Sequence, residues 1–357
     1  MNDLITLDRS SPEFDSYLRG TFAADKRALP IQSLNVNTQQ ERVTFRIVPT
    51  KDIRRPNFLV VWLKAIKPRS FILVLFPMFL VLMKNYLDEQ LKDPFVIIFA
   101  VMGVLALFAA TNLRNDYSDH MKGIDRLNPN TGSRAIQDGW LTADQVRRAA
   151  WRLVWLAALC SLPILFVFPM TIFVLLITAI MGFGAIFQRR FTFKDIEGGE
   201  FFILFMQGPL LTCGFEMAIT GAVRIEALWL GILWGAMALF PIHLRNMENI
   251  IVNSQAGLAN MVSYLGFDRA KKFIHRWWLF SVAGFIFYHL NYGGFYFFWL
   301  YSLIIIFVSM RFSMKLGDLN SPAGSDMVKL RRRGVYVFLI TVGLWTLENL
   351  WYILTDT

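Results

Sequence analysis

The sequence predicts an all-α fold, namely a polytopic membrane protein of about nine transmembrane helices. Hydrophobic residues make up 55% of the 357 residues and include 33 Phe and 11 Trp, whereas charged residues make up only 17%. The mean hydropathy is +0.45. Apolar runs approaching ~20 residues recur along most of the chain, and this is the length that a helix needs to cross a bilayer. The composition therefore argues against a soluble multidomain protein.

Residues 1–56 differ from the rest of the chain because they are polar and contain no long apolar run. We expect a small cytoplasmic extension here, followed by a transmembrane domain over residues 57–357. Within the extension, Val43–Pro49 alternates between apolar and polar residues as a strand does. The first residues lack a basic segment followed by an apolar one, so we expect no cleavable signal peptide.

The segment Trp62–Phe71 mixes aromatic, apolar and basic residues, which is typical of a helix at the membrane interface. The predicted spans follow this segment along the chain. They are Phe71–Met83, Pro94–Leu113, Leu153–Phe168, Thr171–Phe187, Phe201–Thr220, Ala227–Leu244, Ile274–Leu290, Phe295–Met310 and Val335–Leu354.

The Lys and Arg residues are distributed unequally between the two sets of loops that join these spans. Most lie in the stretches 114–148, 189–194, 269–276 and 311–333, whereas the alternate loops hold only Lys84, Lys92 and Arg224. Loops rich in Lys and Arg stay on the cytoplasmic side of a membrane. We therefore expect the N-terminus and the Lys- and Arg-rich loops in the cytoplasm and the C-terminus on the outer side of the membrane. The net charge of +10 thus reflects membrane orientation and does not indicate a nucleic-acid partner.

A polar stretch, Asn112–Gly139, begins at the end of the second predicted span and contains four Asp. Gly123 is expected to end the helix that enters this stretch. Carboxylate and amide oxygens grouped at a helix end suit a hard divalent cation, and Mg²⁺ takes one or two carboxylates together with water and substrate phosphates. Four residues at spacings of three and four share one helical face: Asn112, Asn115, Asp116 and Asp119.

Two cations, Lys122 and Arg134, flank these carboxylates. A carboxylate cluster alone would favour a solvated helix end followed by a polar loop, and this is the alternative interpretation. A divalent metal together with cations is the combination that a diphosphate needs. The stretch therefore predicts a diphosphate-binding site at the cytoplasmic mouth of the bundle, above an apolar floor that suits a lipid-tailed substrate.

The motif NDYSDHMKGID (Asn115–Asp125), followed by SRAIQDG (Ser133–Gly139), resembles the first aspartate-rich motif and loop of the UbiA superfamily of membrane prenyltransferases. It is most similar to the pattern of the dihydroxynaphthoate polyprenyltransferases of menaquinone synthesis (MenA). GEFFILFMQGPLLTCG (Gly199–Gly214) is similar to the stretch that opens the fifth helix in that branch. The resemblance covers roughly residues 60–350 and implies a UbiA-like bundle with a cytoplasmic N-terminus.

The resemblance implies Mg²⁺-dependent transfer of a polyprenyl group from a polyprenyl diphosphate to an aromatic, quinone-precursor-like acceptor. For the MenA branch this acceptor is a bicyclic aromatic acid, and the implied location is a bacterial-type inner membrane. The implied metal ligands are Asn115, Asp116 and Asp119. The implied catalytic residues are Asp116, Asp119, Lys122 and Arg134, of which the last two would contact the diphosphate. The implied substrate-binding residues are Asn112, Asn115, Asp125, Arg245 and Glu248.

The second aspartate-rich motif of the family departs from its pattern in this chain, where it appears as Ile242–Ile250. Leu244 and Arg245 match the pattern, but Asn246 and Ile250 replace its two aspartates. An amide ligates a metal weakly, and an isoleucine does not ligate one. Glu248 is the only carboxylate left in the motif, and His243 is a further candidate for replacing the lost ligands.

Three functions are consistent with these observations to different degrees. The intact first motif favours a working prenyltransferase. The altered second motif favours a non-catalytic descendant that binds an isoprenoid or a partner enzyme, because a fold does not guarantee its function. A transporter is disfavoured, since Glu216 and Glu348 are the main charged residues inside the spans and no charged relay across the bilayer is visible.

Overall fold

The computed structural model describes residues 3–128, 132–182, 197–292 and 297–356. The chain divides into two compact units. The first comprises residues 1–71, 102–159 and 252–258, and the second comprises residues 72–101, 160–251 and 259–357. The predicted domain boundary after residue 56 stays a prediction.

The N-terminal residues form a small antiparallel sheet covered by one short helix. Strand β3 lies in the centre, between β1 and β2. The elements are β1 (Asp3–Asp8), α1 (Phe14–Arg19), β2 (Lys26–Leu34) and β3 (Arg42–Pro49).

Burial alternates along the first half of β3. Val43 and Phe45 are fully buried, and they pack against Phe14 and Leu18 of α1. The strand predicted at Val43–Pro49 is therefore confirmed. The other two strands were not predicted from the sequence. The pairing of β2 with β3 shifts register between Pro30 and Gln32, and this irregularity interrupts the alternation that would have indicated a strand.

The predicted interfacial segment, Trp62–Phe71, begins within the helix α2 (Phe58–Ile66). The Asn57 side chain caps its first turn by accepting a hydrogen bond from the Leu59 backbone nitrogen over 3.0 Å. One face of α2 is buried through Val61 and Ala65, while large apolar side chains on the opposite face are exposed. This one-sided burial is what an interfacial helix requires.

The helices after α2 account for most of the remaining described residues. They are α3 (Ile72–Leu87), α4 (Pro94–Met121), α5 (Ile124–Leu127), α6 (Ala143–Val167), α7 (Thr171–Gly182), α8 (Gly199–Gln207), α9 (Pro209–Thr220), α10 (Ile225–Glu248), α11 (Ile250–Gln255), α12 (Met261–Leu265), α13 (Phe267–Tyr292), α14 (Phe298–Gly317) and α15 (Ser325–Asp356).

Seven helical segments among the described residues are long and apolar enough to cross a membrane, judged by length and composition. The fourth predicted span corresponds to α7, which has 12 described residues, and residues 183–187 of that span lie outside the described residues. The seventh predicted span lies within α13, whose first turns are strongly charged, and residues 295–296 of the eighth also lie outside the described residues. The membrane fold is thus confirmed, whereas the count of nine and the orientation stay predictions.

The fifth predicted span is broken into two helices, α8 and α9, at Gly208–Pro209. Proline lacks a backbone N–H, so it starts a helix more readily than it continues one. A Cβ atom on Gly208 would collide with the carbonyl oxygens of Gly231 and Leu204. The chain therefore passes so close to α10 at this point that only glycine fits.

Each unit has a core of its own. In the first unit, Leu113 and Tyr117 of α4 pack with Val61 and Ala65 of α2. In the second unit, the core is dominated by aromatic side chains that contact one another, among them Phe76, Trp234, Phe240, Trp278 and Phe338. Rings of this size fill a bundle core at native density and fix how the helices pack.

Candidate active site

The predicted polar face lies on the last three turns of α4. Leu113 and Tyr117 are buried in the core of the first unit, and this packing sets the rotation of the helix about its axis. Gly123 adopts a left-handed backbone with φ of 81°, and its N–H donates to the His120 carbonyl over 3.1 Å. The predicted glycine stop after α4 is therefore confirmed.

Asp116 lies between a cation and a backbone donor. Its Oδ1 forms an ion pair with Lys67 Nζ, and its Oδ2 accepts a hydrogen bond from the Ser133 backbone nitrogen over 3.3 Å. The aspartate is only 3% exposed. Burial of a carboxylate this deep is costly unless cations and hydrogen-bond donors surround it, and here both are present.

Lys67 was not among the site residues predicted from the sequence. It ends α2 in a left-handed conformation with φ of 56°, directly before Pro68. This unusual backbone geometry directs the chain away from the helix axis, and the side chain reaches Asp116 on α4. The only sequence signal was a lysine beside a proline in a segment already rich in basic residues, and such a signal does not single out one lysine.

Asn115 and Asp119 form a pair one helical turn apart. The Asn115 side-chain amide donates to Asp119 Oδ2 over 2.9 Å, and Asp119 is 5% exposed. Asn112, one turn earlier, donates its amide to the Ile66 carbonyl over 2.8 Å and to Ser70 Oγ over 2.9 Å. Asn112 therefore holds the turn that carries Lys67.

The loop after α4 brings Asp125 and Arg134 together. Asp125 on α5 is 1% exposed, and its carboxylate packs so closely against Gly132 that a Cβ atom there would collide with it. The Arg134 guanidinium donates to the Asp125 carbonyl over 3.4 Å and lies 3.5 Å from Asp138 Oδ1. Lys122, in the turn between α4 and α5, is partly buried.

The residues on this face fit Mg²⁺ by the chemistry of their donors. Two nearly buried carboxylates, Asp116 and Asp119, lie one turn apart, and the Asn115 amide contacts one of them. No group of three His, Cys, Asp or Glu side chains suited to a metal occurs within the described residues. Mg²⁺ takes one or two carboxylates and leaves its other positions to water and phosphate, so two carboxylates are enough for such a site.

The second motif, at the end of α10, contains a contact that the sequence did not predict. The Asn246 side-chain amide donates to Glu200 Oε1 over 2.9 Å, and Glu200 Oε2 accepts from the Met261 backbone nitrogen over 3.2 Å. Glu200 is 2% exposed. The carboxylate that pairs with position 246 therefore lies on α8, within the stretch Gly199–Gly214.

The surroundings of the other predicted residues of this motif differ from one residue to the next. Glu248 forms an ion pair with Arg331 of α15, and Arg245 is exposed. His243 is fully buried, with Nε2 3.3 Å from the Ala270 carbonyl oxygen. Ile250 begins α11. Residues 191–196, which precede α8, lie outside the described residues.

The sequence profile of the UbiA prenyltransferase family matches residues 70–352. The chain belongs to the UbiA prenyltransferase family. This UbiA member is 27% identical over 208 residues to the human UbiA prenyltransferase domain-containing protein 1, an alignment that covers 57% of this chain and 60% of the relative. The corresponding protein of Gallus gallus is 24% identical over 204 residues, with 57% and 61% covered. The chain thus spans about 60% of the length of these curated relatives.

Solved structures of UbiA homologues share the fold. A UbiA homologue from Archaeoglobus fulgidus, bound to GPP and Mg²⁺, superposes with a TM-score of 0.54 at 14% identity and covers 80% of this chain and 99% of that chain. A UbiA homologue from Aeropyrum pernix K1 superposes with a TM-score of 0.54 at 16% identity and covers 79% and 98%. These similarities show the UbiA fold, and the apolar helices together with the family indicate an integral membrane protein.

Proposed function

We propose that this UbiA protein is a Mg²⁺-dependent prenyltransferase that moves a polyprenyl group from a polyprenyl diphosphate to an aromatic acceptor. The observation that carries the proposal is the geometry of Asp116, a buried carboxylate paired with Lys67 and hydrogen-bonded to the Ser133 backbone nitrogen. Membership of a prenyltransferase family supports it, as does the homologue bound to GPP and Mg²⁺.

The proposed reaction requires that diphosphate leaves an allylic carbon. A bound Mg²⁺ would neutralise part of the charge that develops on the diphosphate oxygens. In our proposal Asp116, Asp119 and Asn115 hold that ion, and Asp125 supports them from the following turn. Three cations, Lys67, Lys122 and Arg134, stabilise the departing diphosphate, because preorganised charges act most strongly where charge develops. Asn112 keeps Lys67 in position.

The finer assignments rest on the resemblance of the first motif to the MenA branch. We propose a bicyclic aromatic acid as the acceptor, Arg245 and Glu248 as further substrate-binding residues, and a role in quinone synthesis. The proposed location is a bacterial-type inner membrane with the site loops on the cytoplasmic side, and the unequal loop charges support this orientation.

A second candidate function is a non-catalytic isoprenoid-binding or partner-binding protein. The observation that favours it is the contact between Asn246 and Glu200, in which the amide donates a hydrogen bond that the carboxylate accepts. A second metal site at this position would require Glu200 to give up that bond.

A turnover assay separates the two candidates. Purified protein is incubated with Mg²⁺, a labelled polyprenyl diphosphate and a panel of aromatic acceptors, beside Asp119→Asn and the exposed-site control Asp326→Asn, whose side chain is 77% exposed. A prenylated product that Asp119→Asn alone abolishes supports the enzyme. Mg²⁺-dependent retention of the diphosphate without product supports the isoprenoid-binding protein. The absence of both overturns the enzyme and the isoprenoid-binding protein and favours the partner-binding protein.

A further inference from the structure

The N-terminal sheet lies outside the residues that match the family profile, which begin at residue 70. Its β2–β3 loop, residues 35–41, nevertheless contacts the segment that follows the first aspartate-rich helix. Glu41 of this loop forms an ion pair with Arg126 of α5 over 2.6 Å, and both side chains are only 1% exposed. The second Glu41 oxygen accepts from Arg9 Nη1 over 2.9 Å.

Arg126 caps the C-terminal end of α4. Its Nε donates to the His120 carbonyl over 3.1 Å, and its Nη2 reaches the Met121 carbonyl at 3.5 Å. The last carbonyls of a helix have no partners within the helix, so a guanidinium placed there stabilises the end. Nη1 donates to Ser33 Oγ of β2 over 3.1 Å. Burial lowers the pKa of the Arg126 guanidinium, and the Glu41 carboxylate opposes that shift.

A second set of contacts joins the same helix end to α1. The His120 ring lies between the Leu18 carbonyl, 3.0 Å from Nε2, and the Gln137 side-chain amide, 3.3 Å from Nδ1. Met121 packs on the buried cluster formed by α1 and β3. His120 directly follows Asp119, so these contacts act one residue away from a proposed metal ligand.

The conformation of the β2–β3 loop is constrained by its backbone and by its contacts. Asn35 and Asn37 adopt left-handed backbones, with φ of 50° and 60°, which asparagine tolerates better than most residues. Between them, the buried Val36 side chain occupies the space that a Cβ atom on Gly123 would need. The Asn37 amide donates to the Ala256 carbonyl over 3.0 Å. Ala256 follows α11, the helix that begins at the last residue of the second motif.

We infer that the β2–β3 loop is a positioning element that holds the segments following both motifs, with Glu41 and Arg126 as its central pair. The inference rests on the proposed function. Removing Glu41 leaves the buried charge of Arg126 uncompensated, and such a loss costs far more than removing both members of the pair. Removing Arg126 leaves Glu41 paired with Arg9 but takes away the cap on α4. The end of α4 and its ligands should therefore loosen when either partner is lost.

The experiment uses the full chain in detergent and two readouts. Amide hydrogen exchange is followed in residues 118–128 and 252–258, and Mg²⁺ is titrated against binding of geranyl diphosphate. Glu41→Gln and Arg126→Gln should each raise exchange in 118–128 and raise the half-saturating Mg²⁺ by roughly 10-fold, the low end of the loss seen when supports of a metal ligand are removed. The double variant, which pairs two amides, should recover part of both losses.

Asn37→Gly tests the second contact, because it removes the amide donor and keeps the left-handed backbone unstrained. It should raise exchange in 252–258 alone. The control is Asp8→Asn, which removes an exposed ion pair of the same sheet that does not involve α4. It should change neither readout. Ser33→Ala, which removes one hydrogen bond to Arg126, gives a milder test should Glu41→Gln fail to fold.

Unchanged exchange in 118–128 with Glu41→Gln, or with Ser33→Ala in its place, would overturn the inference. So would a rise confined to residues 3–49, since the sheet would then be independent of α4. Failure of the proposed function is a separate result, in which the wild-type protein binds no geranyl diphosphate at any Mg²⁺ concentration. The exchange data would still decide the positioning role in that case.

Discussion

Asn246 and Glu200 form a donor–acceptor pair of 2.9 Å between α10 and α8. An ionised aspartate at position 246 could not donate a hydrogen bond to Glu200, whereas the Asn246 amide does. The amide at position 246 is therefore compatible with the buried carboxylate of Glu200.

Asn246→Asp should destabilise the protein. Two carboxylates would face each other in a buried site, and loss of a hydrogen bond to a charged group costs ~1.5–3 kcal/mol. Thermal unfolding in detergent measures the effect. The double variant Glu200→Gln/Asn246→Asp exchanges the two roles and should recover most of the loss. A single variant as stable as the wild type would show that the pair is not formed.

Lys67→Gln should weaken binding of a prenyl diphosphate. The change removes the cation beside Asp116, and a charged hydrogen bond of ~1.5–3 kcal/mol corresponds to roughly 10- to 100-fold in affinity. Calorimetric titration of geranyl diphosphate with Mg²⁺ measures it. Lys64→Gln is the matched control, because Lys64 lies on the same helix and contacts the Trp140 ring. Equal effects of the two changes would contradict a specific role for Lys67.

Asn112→Ala should affect both stability and substrate binding. It removes two hydrogen bonds to the turn that holds Lys67, which together contribute about 1–3 kcal/mol. We expect a lower unfolding temperature and a higher KM for the diphosphate. Thr111→Val is the control, since the Thr111 hydroxyl donates only to Leu107 of its own helix. An unchanged KM would indicate that Asn112 has a purely structural role.

Gly208→Ala should destabilise the second unit. The added methyl group meets the Gly231 carbonyl and the Gly235 backbone of α10, and overpacking of this kind costs ~1–3 kcal/mol. Gly343→Ala is the control, because no atom lies near its Cβ position and alanine favours a helix. The thermal unfolding temperature should fall for Gly208→Ala and rise for Gly343→Ala. A neutral Gly208→Ala would mean that the two helices separate at this point at little cost.

The predicted orientation is tested with single cysteines in a background that lacks Cys160 and Cys213. Arg332→Cys lies at an exposed position in the basic first turns of α15, and Glu89→Cys lies at an exposed position of an acidic loop. In intact cells a membrane-impermeant maleimide should label position 89 and leave position 332 unlabelled. The reverse pattern would place the aspartate-rich motif on the outer side of the membrane.

The first motif shows how much of the site the sequence predicts. The spacing of Asn115, Asp116 and Asp119 predicts their shared face, and Gly123 predicts the end of the helix. Both predictions follow from the geometry of a single helix, and that geometry depends on residues that are close together in the sequence. Lys67 was missed because its role depends on a left-handed turn that aims it at a different helix.

The sequence by itself determined the helical membrane fold, the family and the residues of the first motif, because length, hydropathy and helical period are local properties of the chain. Only the tertiary structure decided which distant residues pair with each other. Glu200 lies 46 positions from Asn246, and Glu41 lies 85 positions from Arg126. Such pairs arise when separate elements pack against each other and buried charges require partners, and no local pattern records that choice.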